Sequence, residues 1–476
     1  MKFECKNKIP WLRYFFLLMM ASVIFSCGYW EKSERDENNL PKNDLQRIKG
    51  AGVLKAVIDY NSTNYFVYRG RPMGFQYELL QQLSKDLGVT LKVIVSNNLD
   101  ETFNGLERGD YDLIAKNLTV TRERMQQVDF TVPLQYTRQV LVQRSKSKKS
   151  DDSVYVYAIA DLVGKTVYVQ KNTAYYNRLQ YLSNEIGRKI DIAEDTIYGV
   201  EQLVARVAKG EINYTVCDEN VARLNQTFYP NLDVSLRLSF PQKISWAVVK
   251  GSKEWKNYLD NWITKFKRTS RFRVLYHKYF ESPRIAERME SDFHSLSGGK
   301  ISPYDDIIKK IAAEHHWDWR LIEAIIYNES RFNKDAGSWA GAYGLMQLLP
   351  STAEAFGIDD YKLPRANIEG GVMFLDWLNN RLKESVPDSS QRINFVLAAY
   401  NIGLGHVEDA QRLAEKYGKD PEVWKDNVED FLQKKSVAKF YKDSVVQWGY
   451  CRGEVAINYV NQVNDNYEHY LNVTSR

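Results

Sequence analysis

The stretch DWRLIEAIIYNESRF, residues 318–332, decides how the second part of this 476-residue chain is read. Ile322, Ile325 and Ile326 recur at helical spacing, which predicts an amphipathic helix rather than a strand. Glu329 follows them by seven, four and three positions, so it falls on their apolar stripe. An ionised carboxylate there is costly unless paired, and no Lys or Arg shares the stripe. Two readings follow. Either the helix ends at Glu329 and water takes the side chain, or burial lifts its pKa from about 4.3 toward about 6 to 7, leaving a general acid near neutral pH.

The helical period continues through residues 304–476. NIEGGVMFLDWLNNRLKE (367–384), NFVLAAY (394–400) and EVAINYVNQVNDNYEHYL (454–471) are predicted helices, and strand signals vanish. Ser351 and Glu354 have the spacing of a capping box for a short helix before Gly357. The region is predicted to be a compact all-α domain. Its neighbour in the chain, 49–283, alternates instead. VLKAVIDY (53–60), TLKVIVS (90–96) and YDLIAKNL (111–118) are predicted strands, with helices over FQYELLQQLSKDLG (75–88) and DETFNGLERGD (100–110) between them. That alternation predicts α/β architecture with largely parallel sheets, and its recurrence after ADLVGKTVYVQ (160–170) predicts a second lobe. Residues 284–303, mixing charges, Ser, Gly298-Gly299 and Pro303, are expected to be the linker.

The first residues address the chain. Lys2, Lys6, Lys8 and Arg13 precede an apolar run, Tyr14–Phe25, too short to span a bilayer. Residues 1–26 are therefore expected to be a secretory signal. Ile24-Phe25-Ser26-Cys27 resembles a bacterial lipobox, which implies cleavage before Cys27, lipidation of its thiol and a membrane tether. An ordinary signal followed by an incidental cysteine is the other reading. Residues 28–48 are polar and expected to be a flexible tether after the lipidated Cys27. Gly28 after the cysteine is not an inner-membrane retention acid, so the outer membrane, facing the periplasm, is the expected location.

Composition narrows the partners. There are 65 basic against 60 acidic residues, interspersed, and no basic stripe emerges to suit a nucleic acid. Cys217 and Cys451 remain after Cys5 and Cys27, either bridged or as two free thiols. No metal-ligand spacing occurs, and no cofactor is implied.

The alternating region resembles the family 3 extracellular solute-binding proteins through GFQYELLQQLSKDLGV (74–89), GLERGDYDLIAKNLTVTRERMQQVDFTVPL (105–134), DLVGKTVYVQKNT (161–173) and GEINYTVCDEN (210–220). The resemblance implies a two-lobed clamp for an amino acid or a cell-wall peptide. Arg124, near Thr119 and Thr121, would hold a ligand carboxylate, as a guanidinium fork does well. Thr173 and Asp218 would meet it from the second lobe, Asp218 pairing with an amine. Two positions depart from the pattern: Asn172 stands for a glycine, and Gln76 for a common Asp. A surface arginine at a helix start is the plain alternative for Arg124.

The helical region resembles the goose-type-lysozyme-like domain of lytic transglycosylases. ESRFNKDAGSWAGAYGLMQLLPSTA (329–353), NIEGGVMFL (367–375) and LAAYNIGLGHV (397–407) carry the likeness in family order, with Lys334 and Trp339 where prolines are common. The resemblance implies that Glu329 is the catalytic acid and base. It implies too that Ser330 and Ser338 orient it or touch substrate, that Met346 and Gln347 line the sugar cleft, and that Tyr400 and Asn401 contact the sugar at the scissile bond. Tyr459 has the family's late-tyrosine position and is expected to pack. Only one motif carboxylate is present, whereas hydrolytic glycosidases generally use two. The expected substrate is the glycan strand of peptidoglycan, cut without water to leave a 1,6-anhydromuramoyl end. A hydrolysing muramidase, and a tethered sensor that binds glycan without cutting it, stay open.

Overall fold

The computed structural model describes residues 44–146, 154–282, 288, 291–296 and 298–474. Cys27, the expected lipidation site, and the expected signal 1–26 lie outside the described residues. The expected tether ends earlier than its composition indicated. Residues Asp44–Ala51 form a helix, Ile48 is fully buried beneath it, and Arg47 pairs with Asp112 at 2.5 Å. Ile48, with Leu45 packed beside it against the same core, docks that turn despite its polar composition.

The amino-terminal part folds as two lobes. In the first, strands stand in the order Thr90–Val95, Val53–Ile58, Leu113–Thr119, Gln242–Val249 and Val128–Phe130, with Gln135–Thr137 also paired to Gln242–Val249. In the second the order is Asp191–Asp195, Thr166–Gln170, Thr215–Asp218, Gln139–Arg144 and Leu232–Asp233. Three strands of each sheet are parallel, as βαβ alternation requires. The remaining ladders are antiparallel, so the sheets are mixed rather than largely parallel. The reason is the crossing between lobes. Gln139–Arg144 and Gln242–Val249 each enter a sheet directly from the other lobe, with no helix to reverse the chain. The two crossings lie side by side: Gln139 N–H donates to the Ser239 hydroxyl at 2.9 Å, and its side-chain amide to Gln242 at 3.0 Å. Predicted helices Phe75–Leu87 and Leu99–Arg108 are present, and each stops at a glycine in left-handed backbone, Gly88 and Gly109.

The carboxy-terminal part is helical throughout. Trp319–Ser330, Pro364–Leu382, Ser389–Ile402 and Gly453–Thr474 enclose a core of Ile322, Ile325, Ile326, Leu375, Phe395 and Val460. The short helix spans Pro350–Ala355 and has no side-chain cap. Pro350 starts it, because a proline at the first helical position loses no intrahelical bond, so Ser351 lies inside the helix rather than capping it. Cys217 and Cys451 are both buried free thiols.

Within the expected linker, residues around His294 dock on the first lobe. His294 is fully buried and stacks on Phe66 at 4.5 Å, while Arg69 N–H and Ser295 N–H donate to Phe293 and Val67 carbonyls. Those bonds extend the hairpin Phe66–Tyr68/Arg71–Met73, whose turn reaches the second part. The Tyr470 hydroxyl donates to the Gly70 carbonyl at 2.9 Å, and the Tyr65 and Tyr77 hydroxyls flank His469 at 2.8 and 3.0 Å. Gly70 has φ 72, and a β-carbon there would lie 2.5 Å from Phe332 and 2.9 Å from Tyr327. Gly70→Ala is therefore expected to cost about 1–3 kcal/mol through overpacking and backbone strain. Chemical denaturation of the full chain checks this, and an unchanged unfolding midpoint would refute it.

Candidate active site

Glu329 is in the last turn of Trp319–Ser330. That helix begins where the Asp318 carboxylate accepts from Arg320 N–H at 2.9 Å and stops at Arg331, whose φ of 54 leaves the helical region. The apolar stripe Ile322, Ile325 and Ile326 is fully buried. Glu329, half-buried, extends the stripe into a pocket shared with Tyr400 and Tyr459. Burial pushes its carboxyl up to about 7, partly offset by the Tyr459 hydroxyl beside it. Among the described residues no basic group and no second carboxyl shifts it. A carboxyl of this kind can both give and take a proton near neutral pH. Tyr459, read from sequence as packing, is buried, and its hydroxyl has no hydrogen-bond partner of ordinary geometry. Its phenol faces the acid.

The loop between Asn333 and Leu348 is tied to Tyr400, the neighbour of Glu329, and to Asn367. Asn367, fully buried, accepts from Met346 N–H at 2.8 Å and donates to the carbonyls of Tyr343 and Tyr361 at 2.9 and 2.8 Å. Gly371 lets Met346 lie against the helix, since a β-carbon there would be 2.4 Å from its sulfur. The Tyr400 hydroxyl donates to the Met346 carbonyl at 2.7 Å and ties this loop to the helix Ser389–Ile402. Asn367 was not singled out from the sequence. It lies near the start of the helix Pro364–Leu382, where a polar residue is unremarkable, so the sequence gives no signal of its role.

Other expected site residues are placed as follows. The Ser330 hydroxyl donates to the Ile326 carbonyl at 3.2 Å, back along its own helix. The Ser338 hydroxyl accepts from Ala342 N–H at 3.0 Å within an exposed turn. Gln347 has φ 50, and its amide donates to the carbonyls of Ala336 and Gly344, both at 3.0 Å, so it braces the loop. Asn401 is exposed at the end of its helix.

Between the lobes of the amino-terminal part the second candidate set comes together. Arg124 donates to the Thr119 carbonyl at 3.0 Å and, across the cleft, to the Asn172 carbonyl at 3.3 Å. Asp218 is buried at the end of its strand with one oxygen unpartnered. Burial lifts it to about 7, against the Tyr175 hydroxyl and the field of Arg124. Thr173 donates to the Gln170 carbonyl at 2.7 Å and precedes the helix Ala174–Ile186. Asn172 has φ 61, a left-handed residue that Asn adopts more readily than most, which accounts for it standing where a glycine is common. Gln76, fully buried, donates to Asn117 at 2.8 Å and accepts from the Trp246 indole at 2.7 Å. The lobes are closed: Glu201 accepts from Ser62 N–H and hydroxyl at 3.0 and 2.6 Å, and Asn177 donates to Glu123 at 2.8 Å.

Residues 306–423 match the Transglycosylase SLT domain, and residues 54–282 match the Bacterial extracellular solute-binding proteins, family 3. The chain is 34% identical over 420 residues to the membrane-bound lytic murein transglycosylase F of Desulfosudis oleivorans, covering 88% of this chain and 90% of that one. To its counterpart in Aeromonas salmonicida it is 32% identical over 463 residues, 96% and 88% of the two chains. A crystal structure of the P235GK mutant of ArgBP from T. maritima aligns at 24% identity with a TM-score of 0.43, over 50% of this chain and 99% of that one.

Proposed function

The chain belongs to the membrane-bound lytic murein transglycosylase F family, and we propose that it cuts the MurNAc–GlcNAc bond of peptidoglycan with Glu329 as sole acid and base. One observation carries this reading: a carboxyl held at about 7 by burial, with no second carboxyl among the described residues shifting it. Protonated Glu329 gives its proton to the glycosidic oxygen as the bond to C1 breaks. The resulting carboxylate then takes the proton of the muramic acid C6 hydroxyl as that oxygen bonds to C1. No water is consumed, and the new end is a 1,6-anhydro sugar.

The proposed contacts follow from position. Tyr400 and the Met346 carbonyl it holds line the cleft next to Glu329, and the Tyr459 phenol steadies the carboxyl. Asn401 presents its amide to the sugar, Gln347 sets the loop, Ser338 stands at the rim, and Ser330 fixes the helix end. Incubation with sacculi in heavy-oxygen water tests the reaction. Unlabelled anhydro ends are expected, whereas label at the new muramic acid ends would mean hydrolysis and defeat the reading.

We further infer that the two-lobed part binds an amino acid or cell-wall peptide through Arg124, Thr119, Thr173 and Asp218, and that its occupancy governs cutting. The support is the unpartnered buried oxygen of Asp218, facing the field of an arginine. The proposed attachment is a lipid on Cys27 in the outer membrane, with the domains facing the periplasm. No helix among the described residues is long and apolar enough to cross a membrane.

A further inference from the structure

The hairpin turn that meets the second domain leaves a cavity beside it that belongs to neither cleft. Its volume is about 390 Å³, and Tyr68, Arg69, Arg71, Arg288, Tyr327 and Arg331 wall it. Three separate segments therefore contribute arginines: the first-lobe hairpin, the connection between domains, and the end of the Glu329 helix. Among the described residues no carboxylate forms an ion pair with any of the four. Four like charges around one small space repel one another. The rings give them fixed positions. The Arg331 guanidinium lies 4.1 Å from the Tyr327 ring centre and that of Arg69 5.4 Å from Tyr68.

The backbone places two of the arginines at chain reversals. Arg69 (φ 50) and Arg331 (φ 54) both occupy left-handed conformations, which long side chains rarely adopt. Arg69 shares the two-residue hairpin turn with Gly70 and Arg331 caps its helix, and both places call for such backbone. Two of the four arginines thus reach the cavity from backbone that a glycine or asparagine would satisfy more easily.

We propose that this cavity binds a small ligand bearing two or more oxyanion groups, which bridges the first-lobe hairpin and the end of the Glu329 helix. Guanidinium forks suit carboxylate and phosphate oxygens alike, two bonds at a time. Tyr68, Tyr327 and buried Met73 supply apolar walls for the body that joins those groups. Arg331, just past the helix end, folds back over Tyr327, while Glu329, two residues after Tyr327 in the helix, faces away from it. The ligand therefore touches the back of the helix and leaves the glycan cleft open. Two sources offer the chemistry: carboxylates of peptidoglycan stem peptides, and phosphates.

The test uses the full chain carrying Arg124→Ala, which silences the interlobe cleft, with inorganic pyrophosphate and an N-acetylated stem tetrapeptide as probes in titration calorimetry. At least one is expected to bind, at least tenfold more weakly after Arg69→Gln with Arg71→Gln, and again after Arg331→Gln alone. Lysines at 69 and 71 keep the charge but lose the fork, so an intermediate loss is expected. Binding of the peptide alone assigns carboxylates, of pyrophosphate alone phosphates, and of both the shared oxyanion chemistry. Unchanged thermal unfolding of these exposed-site variants shows that they are folded. Failure of both probes to bind, or binding undiminished in the double variant, overturns the proposal. Neither result bears on the interlobe cleft or on Glu329.

Discussion

Glu329→Gln is expected to lower the release of fragments from peptidoglycan by roughly 10²–10⁴-fold or more while leaving the fold intact. The amide keeps the shape of the carboxyl but neither gives nor takes the proton. A second, opposite effect makes the prediction harder to mimic. In the folded chain burial holds the carboxyl near 7, against an ordinary value of 4.5. Its folded pKa is raised, so its stabilising contribution is complete below the ordinary value and is lost as pH rises through about 7. Above that pH the native protein carries an ionised group in a place that disfavours it. Glutamine never ionises there. The variant should therefore be more stable than the native chain above neutrality by about 1–3 kcal/mol, after allowing for water at this half-buried site, and close to equal to it in acid. Denaturant titrations at two pH values, run beside a sacculus-clearing assay, read both effects. Near-normal turnover by the folded variant would remove Glu329 from its proposed role.

Glu329 was legible because two local rules conflict at one position: helical period asks for an apolar residue and the chain supplies an acid. Most of the lobe architecture was legible for the same local reasons, from strand–helix alternation and from glycines placed at helix ends. What stayed hidden depends on contacts far apart in the chain. Tyr459 fits an apolar period, so sequence reads it as packing, yet its hydroxyl lies by an acid 130 positions earlier. Asn367 braces a loop through three backbone groups that no spacing reveals. Composition makes the tether flexible and marks 284–303 as a linker, and neither reading shows what packs there. Buried Ile48, with Leu45, docks the first, and one stack of His294 on Phe66 helps dock the second. Mixed strand direction followed from the doubled crossing between lobes, which alternation cannot encode.

Arg124→Ala is expected to abolish ligand-induced stabilisation of the full chain, a loss of about 2.7 kcal/mol at a ligand concentration near 100 times Kd. The geometry sets the argument. Arg124 belongs to the first lobe and donates across the cleft to the Asn172 carbonyl, while Asp218 of the second lobe is buried with an unpartnered oxygen and titrates near 7. A zwitterion with its carboxylate on Arg124 and its ammonium on Asp218 would satisfy both lobes together, and so favour the closed clamp by its differential affinity. Pairing with an ammonium needs Asp218 ionised. Affinity should therefore rise with pH through about 7 and fall below it, and Asp218→Asn should flatten that profile. The closed clamp is joined to the second domain by the docked connection and by the Gly70 turn against Tyr327, one turn of helix before Arg331. A coupling of about 1–3 kcal/mol through that junction changes turnover by roughly 5–150-fold. In Arg124→Ala the dependence of turnover on added muropeptide should vanish, while activity without ligand is retained. If the native chain itself shows neither ligand-induced stabilisation nor ligand-dependent turnover across a broad muropeptide panel, the clamp is no sensor, and its part is to position the enzyme on the wall.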